Sequence, residues 1–150
     1  MKGNNRGFEI VHYKTLILSV VMILSACSEL PAEQAIKENI EEIQSAIEGK
    51  SSSGVTEHLS SYFLLNSKMD KKGVKRMLMA SFLRHQKIGI IVSNVTIELS
   101  ETDTHRAVST ATVALVGATN FIPDSGRLYQ LKGEWQIEGS DWRLLTLNWK

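Results

Sequence analysis

The side chain best suited to covalent chemistry in this sequence is the thiol of Cys27, because a thiolate is a strong nucleophile. It is the single cysteine of the chain, which excludes an internal disulfide and a cysteine-rich zinc site. Besides His12, the candidates for proton transfer are His58, His85 and His105, which fall in separate segments without metal-ligand spacing. We therefore predict no catalytic residue, no metal site and no cofactor.

Cys27 follows a segment with the layout of a bacterial signal peptide. Residues 1–14 are polar and basic, and residues 15–26 form an apolar run shorter than the roughly 20 residues that span a membrane. The run ends in Leu24-Ser-Ala-Cys27, which resembles the lipobox of bacterial lipoproteins: an aliphatic residue, two small residues and cysteine. The resemblance implies cleavage before Cys27 and acyl chains such as palmitate on that residue.

This resemblance divides the chain into a lipoprotein signal peptide (1–26), a lipidated tether (27–31) and a folded domain (32–150). It also implies that the protein is anchored in the cell envelope, and Ser28 after the cysteine implies the outer membrane, facing the periplasm. Two alternatives stay open. Ordinary signal peptidase could cut after Ser28, or the apolar run could be an uncleaved anchor or a buried helix.

Composition argues for one globular domain that does not bind nucleic acid. Hydrophobic residues make up 43% and charged residues 22% of the chain. The formal net charge is +1, and the leader holds part of it, so the rest of the chain is near neutral. A near-neutral domain lacks the positive field that draws proteins to nucleic acid.

Hydrophobic periodicity divides the mature chain into helices followed by strands. Residues 32–48 place apolar side chains at spacings of three and four, which predicts an amphipathic helix that ends at Gly49. The same spacing predicts a second helix over 55–64. A third is predicted to start after Asp70, a suitable N-cap, and to reach about His85. Its predicted apolar face consists of Val74, Met77, Leu78, Ser81 and Phe82.

From Ile88 onward the apolar period is two, which is typical of strands. The parity of the apolar positions changes at residues 93–94, which predicts a β-bulge there and hence a bent strand. Further strands are predicted over 106–116, 128–138 and 142–149. The first of these is apolar on both faces and is expected in the centre of the sheet. Gly139-Ser140 is predicted to form a tight turn.

The side of the last strand that faces the core depends on the length of this turn. A two-residue turn places Trp142 and Leu144 beside Trp135, whereas a longer turn favours Leu145, Leu147 and Trp149. Helices followed by an antiparallel meander predict an α+β fold rather than alternating βαβ units.

Two local features have both structural and functional interpretations. The basic residues between Lys68 and Lys87 are either a solvated helix face or a contact for anionic headgroups or an acidic partner. Phe121 and Ile122, in the loop 117–126, either cover the end of the fold or contact a partner or gate a pocket.

The end of the chain resembles the NTF2-like (SnoaL-like) superfamily, whose members often close with G-x-W, a turn and W-R-L. The matching residues are Gly133-Glu-Trp135, Gly139-Ser-Asp-Trp142-Arg-Leu144 and Asn148-Trp149. The resemblance covers about residues 32–150. It implies a cone in which three N-terminal helices pack on a curved antiparallel β-sheet, often with a pocket and often as a homodimer through the sheet. It implies no particular activity.

For function we predict an envelope lipoprotein whose domain binds a partner protein or a small apolar ligand without catalysis. The alternative is a lyase or isomerase that uses His58 or Tyr62 in the cone. The candidate pocket residues are His58, Tyr62, Phe63, Trp135 and Trp142.

Overall fold

The fold is described here from a computed structural model, for residues 31–85, 87–117 and 128–149. The signal peptide, Cys27, and the loop residues Phe121 and Ile122 lie outside these ranges, so the predictions for them stay predictions. Within the described ranges, no helix combines the length and the hydropathy that crossing a membrane requires.

The described residues form an α+β fold with a mixed sheet. The helices are α1 (Ala32–Glu48), α2 (Ser52–Glu57) and α3 (Lys71–Arg84). The strands are β1 (Leu59–Leu65), β2 (Met69–Asp70), β3 (Ile88–Leu99), β4 (Arg106–Gly117), β5 (Leu128–Glu138) and β6 (Asp141–Trp149). Their order in the sheet is β2-β1-β6-β5-β4-β3, and all neighbours are antiparallel except β1 and β6.

The first helix packs as its periodicity predicts and also covers the edge of the sheet. Ile36 on its apolar face is fully buried in the core. On the same helix, Gln44 donates from Nε2 to the carbonyl oxygen of Ile90 at 2.9 Å, and Glu48 accepts from the amide of Ile90 at 3.3 Å. These bonds satisfy backbone groups of the edge strand β3, which otherwise face outward.

The second predicted helix is corrected by the structure. The helix α2 begins after Ser51, whose hydroxyl accepts from the amide of Gly54, and ends at Glu57. The chain then forms strand β1, which pairs in parallel with β6. The segment Leu59–Leu65 is rich in serine, aromatic and leucine residues, and serine and aromatics are weaker helix formers than alanine or leucine. Pairing with β6 therefore overrides the helical spacing, and the sheet is mixed rather than antiparallel.

The third helix follows its prediction. Asp70 is the N-cap, and its Oδ1 accepts from the amide of Gly73 at 2.7 Å. The apolar face predicted for this segment turns toward the sheet, where Val74 joins the core.

Bulges keep the apolar side chains of two strands on one face. In β3, Ser93 pairs with Thr112 and Thr96 with Thr110, so two residues oppose one at the predicted position. In β6, Trp135 pairs with Leu144 but Glu134 with Thr146, which leaves Leu145 as the extra residue. The parity of β6 therefore changes within the strand. We call the face of the sheet that contacts the helices the inner face.

The turn before β6 has two residues, Gly139 and Ser140, since Glu138 pairs with Asp141. Gly139 adopts a φ of 68°, in the left-handed region that favours glycine. Together with the bulge at Leu145, this turn places Trp142 and Leu144 in the core and packs Leu147 against it. Each of the two predicted alternatives thus holds for one part of the strand.

The face of the sheet opposite the helices is polar over much of its area. The hydroxyls of Thr96 and Thr110 hydrogen bond at 2.7 Å, and Gln130 donates to Thr112 at 3.1 Å. Strand β4 lies second from the edge, and its outer side chains are not uniformly apolar. The outer face of this strand is therefore only partly apolar, unlike the face predicted from the sequence. The homodimer itself stays a prediction.

Replacing Ile36 with alanine is expected to lower the free energy of unfolding by about 2–5 kcal/mol, since it removes a fully buried side chain. Urea unfolding followed by tryptophan fluorescence would measure this. Leu83→Ala on α3, where the side chain is 89% exposed, should change stability by only about 0.5 kcal/mol or less. Equal losses in both variants would contradict the packing of α1 described above.

Candidate functional site

A cavity of about 560 Å³ lies between the helices and the inner face of the sheet. Its volume is in the range of roughly 300–1,000 Å³ that is usual for small-ligand sites. One wall is the face of α3 that the sequence marks as apolar: Val74, Met77, Leu78, Ser81 and Phe82. A second recess of about 120 Å³ shares residues such as Ile43, Val113 and Leu131 with it and reaches Trp135.

The two ends of the cavity differ in exposure. Leu59, Phe63 and Leu144, near one end, are almost completely buried. At the other end, Leu115 is 50% and Trp149 is 39% exposed. The cavity therefore has a closed apolar end and an open rim.

Strand pairing brings the rim residues Leu115, Tyr129 and Trp149 to one end of the sheet. Ile90 pairs with Leu115, Val113 pairs with Tyr129, and Leu131 pairs with Trp149, all toward the same end of the strands. The helix α3 also ends here, so His85 and Lys87 line the rim and are exposed. The sequence analysis did not identify His85 and Lys87 as site residues. Their position at the rim depends on pairing between strands that are distant in the chain, which local patterns do not show.

The chemistry of the lining is apolar with a few polar groups. Ser81, His85, Lys87 and Tyr129 are the polar or charged residues among the described lining, which includes no aspartate or glutamate. Across the described residues, no cluster of three or more histidine, cysteine or acidic side chains could hold a metal ion. The cavity therefore suits the binding of an apolar molecule better than catalysis by proton transfer in its interior.

The candidate pocket residues are not brought together at one place. Phe63 lines the cavity and Trp135 lines the recess. Trp142 is buried in the core but contributes to neither space. Tyr62 lies on the outside of β1 with 79% of its surface exposed, because side chains alternate in a strand and Phe63 points inward.

His58 is held at the edge of the core by two side chains of α1. Its Nδ1 lies 2.7 Å from Oδ1 of Asn39, and its Nε2 lies 3.4 Å from Oε2 of Glu42. Asn39 donates from Nδ2 to the carbonyl oxygen of Trp142 at 3.2 Å, which leaves its Oδ1 to accept from Nδ1–H. His58 lines neither the cavity nor the recess. This arrangement fastens α1 to β6.

The recess is built around the indole of Trp135. Its Nε1–H donates to the hydroxyl of Ser109 at 2.9 Å within the core. A Cβ at Gly133 would lie 2.9 Å from Leu144 Cδ1 and 3.0 Å from Ser109 Oγ. Glycine is therefore needed for close packing, which gives a physical reason for the G-x-W pattern at 133–135.

A polar cluster on the opposite face joins β1 to β5. The buried hydroxyl of Ser60 donates to Oε1 of Glu138, and Gln136 donates to the same oxygen at 2.7 Å. Ser61 donates its hydroxyl to Oε2 at 3.2 Å. The hydrogen bond from Ser60 is the main cause that lowers the pKa of Glu138, with further bonds from Gln136 and Ser61.

Comparison with known proteins shows the fold. An NTF2-like protein of unknown function from Pseudomonas putida KT2440 matches with a TM-score of 0.69 and 10% identity, over 79% of this chain and 85% of that one. The hexachlorocyclohexane dehydrochlorinase LinA-type3 from Novosphingobium barchaimii LL02 matches with a TM-score of 0.62 and 8% identity, over 79% and 85%.

Bd1075 from Bdellovibrio bacteriovorus also matches, with a TM-score of 0.66, 9% identity and 78% of this chain covered. The chain spans only 40% of the length of that protein. No protein-family model and no curated protein matches the sequence. The domain thus has an NTF2-like fold, and proteins with this fold include enzymes as well as proteins of unknown function.

Glu138→Gln is expected to lower the urea midpoint of unfolding at neutral pH but much less at about pH 3. The folded protein holds the pKa of Glu138 below its unfolded value, so this stabilisation is present above the unfolded pKa. It is lost as pH falls through the folded pKa. Glu98→Gln, on β3 and outside the cluster, is the control. A Glu138→Gln loss that is equal at both pH values would contradict this account.

Proposed function

We propose that this chain is a lipid-anchored protein of the bacterial envelope whose NTF2-like domain holds a small apolar ligand in the cavity without catalysing a reaction. The observation that carries the ligand proposal is the cavity of about 560 Å³ with an apolar closed end and an open rim. Binding of a partner protein was the other predicted role. The cavity favours a small molecule over a protein surface, because its volume is in the usual range for small-ligand sites and lining residues such as Phe63 and Leu144 are almost completely buried.

A lyase or isomerase would need a proton donor or acceptor that reaches the reacting atoms. His58 and Tyr62, the residues predicted for that role, do not line the cavity. His85 and Lys87 lie on the exposed rim, where water competes with any substrate contact. Binding without catalysis is therefore the function we propose.

The anchor is proposed from the sequence around Cys27. A basic segment, a short apolar run and Leu24-Ser-Ala-Cys27 follow one another in the order that lipid attachment requires. Two or more acyl chains hold a protein firmly, because each buried methylene contributes roughly 0.8 kcal/mol. With Ser28 next to the cysteine, we propose the outer membrane, facing the periplasm.

Ser81→Trp should weaken binding of N-phenyl-1-naphthylamine, a neutral apolar fluorophore, to the cavity. The added indole fills part of the space, and overpacking costs about 1–3 kcal/mol, equal to roughly 5- to 150-fold in affinity. Fluorescence titration of the full chain measures the dissociation constant, and urea unfolding checks that the variant folds.

Leu83→Trp is the matched control, since Leu83 lies on the same helix but is exposed and outside the cavity. It should bind the fluorophore as the wild type does. No binding by the wild type, or equal weakening by both tryptophan variants, would reject the ligand proposal.

Cys27→Ala is expected to abolish acylation and to leave the chain without lipid. Intact mass spectrometry of the membrane fraction should find a wild-type chain that begins at Cys27 and bears acyl mass, and the variant should lack that mass. A soluble wild-type protein that begins after Ser28, or an uncut chain, would reject the anchor but leave the cavity proposal standing.

A further inference from the structure

We infer that the ligand of the cavity is an anionic amphiphile with a single alkyl chain, whose carboxylate lies at His85 and Lys87. This inference rests on the proposed ligand-binding function and names the chemical class of the ligand. It follows from the distribution of polar groups along the cavity, which is uneven.

An alkyl chain suits the interior. The walls between the rim and the closed end are formed by aliphatic and aromatic side chains, including Leu78, Val113 and Leu131. Phe63 and Leu144 line the far part and are nearly fully buried. A polar headgroup placed there would lose its hydration without gaining a matching partner, which is unfavourable.

An anionic headgroup suits the rim. Lys87 carries a full positive charge, and both His85 and Lys87 line the same open end and are exposed. None of the described residues that line the cavity is acidic. The carboxylate of Glu48 lies outside this lining and accepts a hydrogen bond from the amide of Ile90. An alkyl carboxylate can therefore extend its chain inward while its headgroup keeps contact with water and with these two side chains.

One local field opposes an anion at this position. The C-terminus of α3 lies at His85 and bears about half a negative charge from its backbone carbonyls. The full positive charge of Lys87 outweighs this partial negative charge. An exposed ion pair of this kind contributes little in water, so the effect of the headgroup should be modest beside that of the chain.

The test uses the full chain carrying Cys27→Ala, in which no attached acyl chain competes for the cavity. Decanoate and decanol are each titrated against bound N-phenyl-1-naphthylamine, and their displacement constants are compared. Decanoate is expected to bind more tightly than decanol, by roughly two- to fivefold. From hexanoate to dodecanoate, affinity should rise by roughly fourfold per methylene until the cavity is full.

Lys87→Gln should remove the preference for decanoate and leave the binding of decanol unchanged. Lys72→Gln is the matched control, because Lys72 is an exposed residue of α3 that does not line the cavity. It should keep the preference. Urea unfolding shows whether each variant is folded.

Equal binding of decanoate and decanol by the wild type would overturn the inference, and so would loss of the preference in Lys72→Gln. A rise in affinity with chain length that never levels off would also overturn it, since that indicates adsorption to the surface. In each of these cases the fluorophore still binds, and the proposed function stands. Failure of the fluorophore itself to bind rejects both.

Discussion

The packing of the Trp135 indole against residues of β4, β5 and β6 fixes how these three strands are arranged in the core. Its ring lies over Gly133, donates a hydrogen bond to Ser109 on β4, and approaches Leu144 on β6. Ala107, the partner of Trp135 across the sheet, is small enough to leave room for the ring. Truncating a buried tryptophan costs about 3–5 kcal/mol in general, so this residue secures the arrangement of β4, β5 and β6.

The cavity lies beside a part of the core that two tryptophans fill. Trp135 and Trp142 are almost completely buried in the halves of β5 and β6 next to the turn at Gly139-Ser140, and neither lines the cavity, whereas the smaller Val113 and Ser81 do. An unfilled apolar space lowers stability through lost packing contacts. A domain that keeps such a space gives up stability, as is usual where a site must accept a ligand.

Much of the fold could be predicted from local patterns, and the errors have physical causes. The isoleucine spacing of α1, the Asp70 cap of α3, the bulge at residues 93–94 and the tight turn at Gly139-Ser140 are confirmed. Strand β1 was missed because its apolar residues also fit a helical spacing, and only pairing with β6 decides between the two. Single-sequence periodicity does not contain that long-range contact.

The candidate site was found only in part, for a related reason. The apolar face of α3 was recognised as a buried surface, but a wall of a cavity and a filled core have the same periodicity. The rim depends on the register of β3 to β6, which places Lys87 near residues more than twenty-five positions away in the chain. Phe63, Trp135 and Trp142 were all predicted as pocket residues because they are large. Size alone does not show that the first two line a cavity or recess and that Trp142 does not.

Strand β1 behaves over most of its length as an edge strand of the sheet, where another chain could pair with it. Its partner on the outer side, β2, has only two residues, so within the described part of the chain most of the backbone from Ser60 to Phe63 has no strand beside it on that side. The segment Ser-Ser-Tyr-Phe-Leu-Leu is uncharged, contains no proline or glycine and is rich in aromatic and aliphatic side chains, which is the composition of aggregation-prone segments. The irregular pairing of Leu59 to Leu64 and the bond from Ser60 to Glu138 distort this edge. The distortion discourages the addition of a strand from another chain.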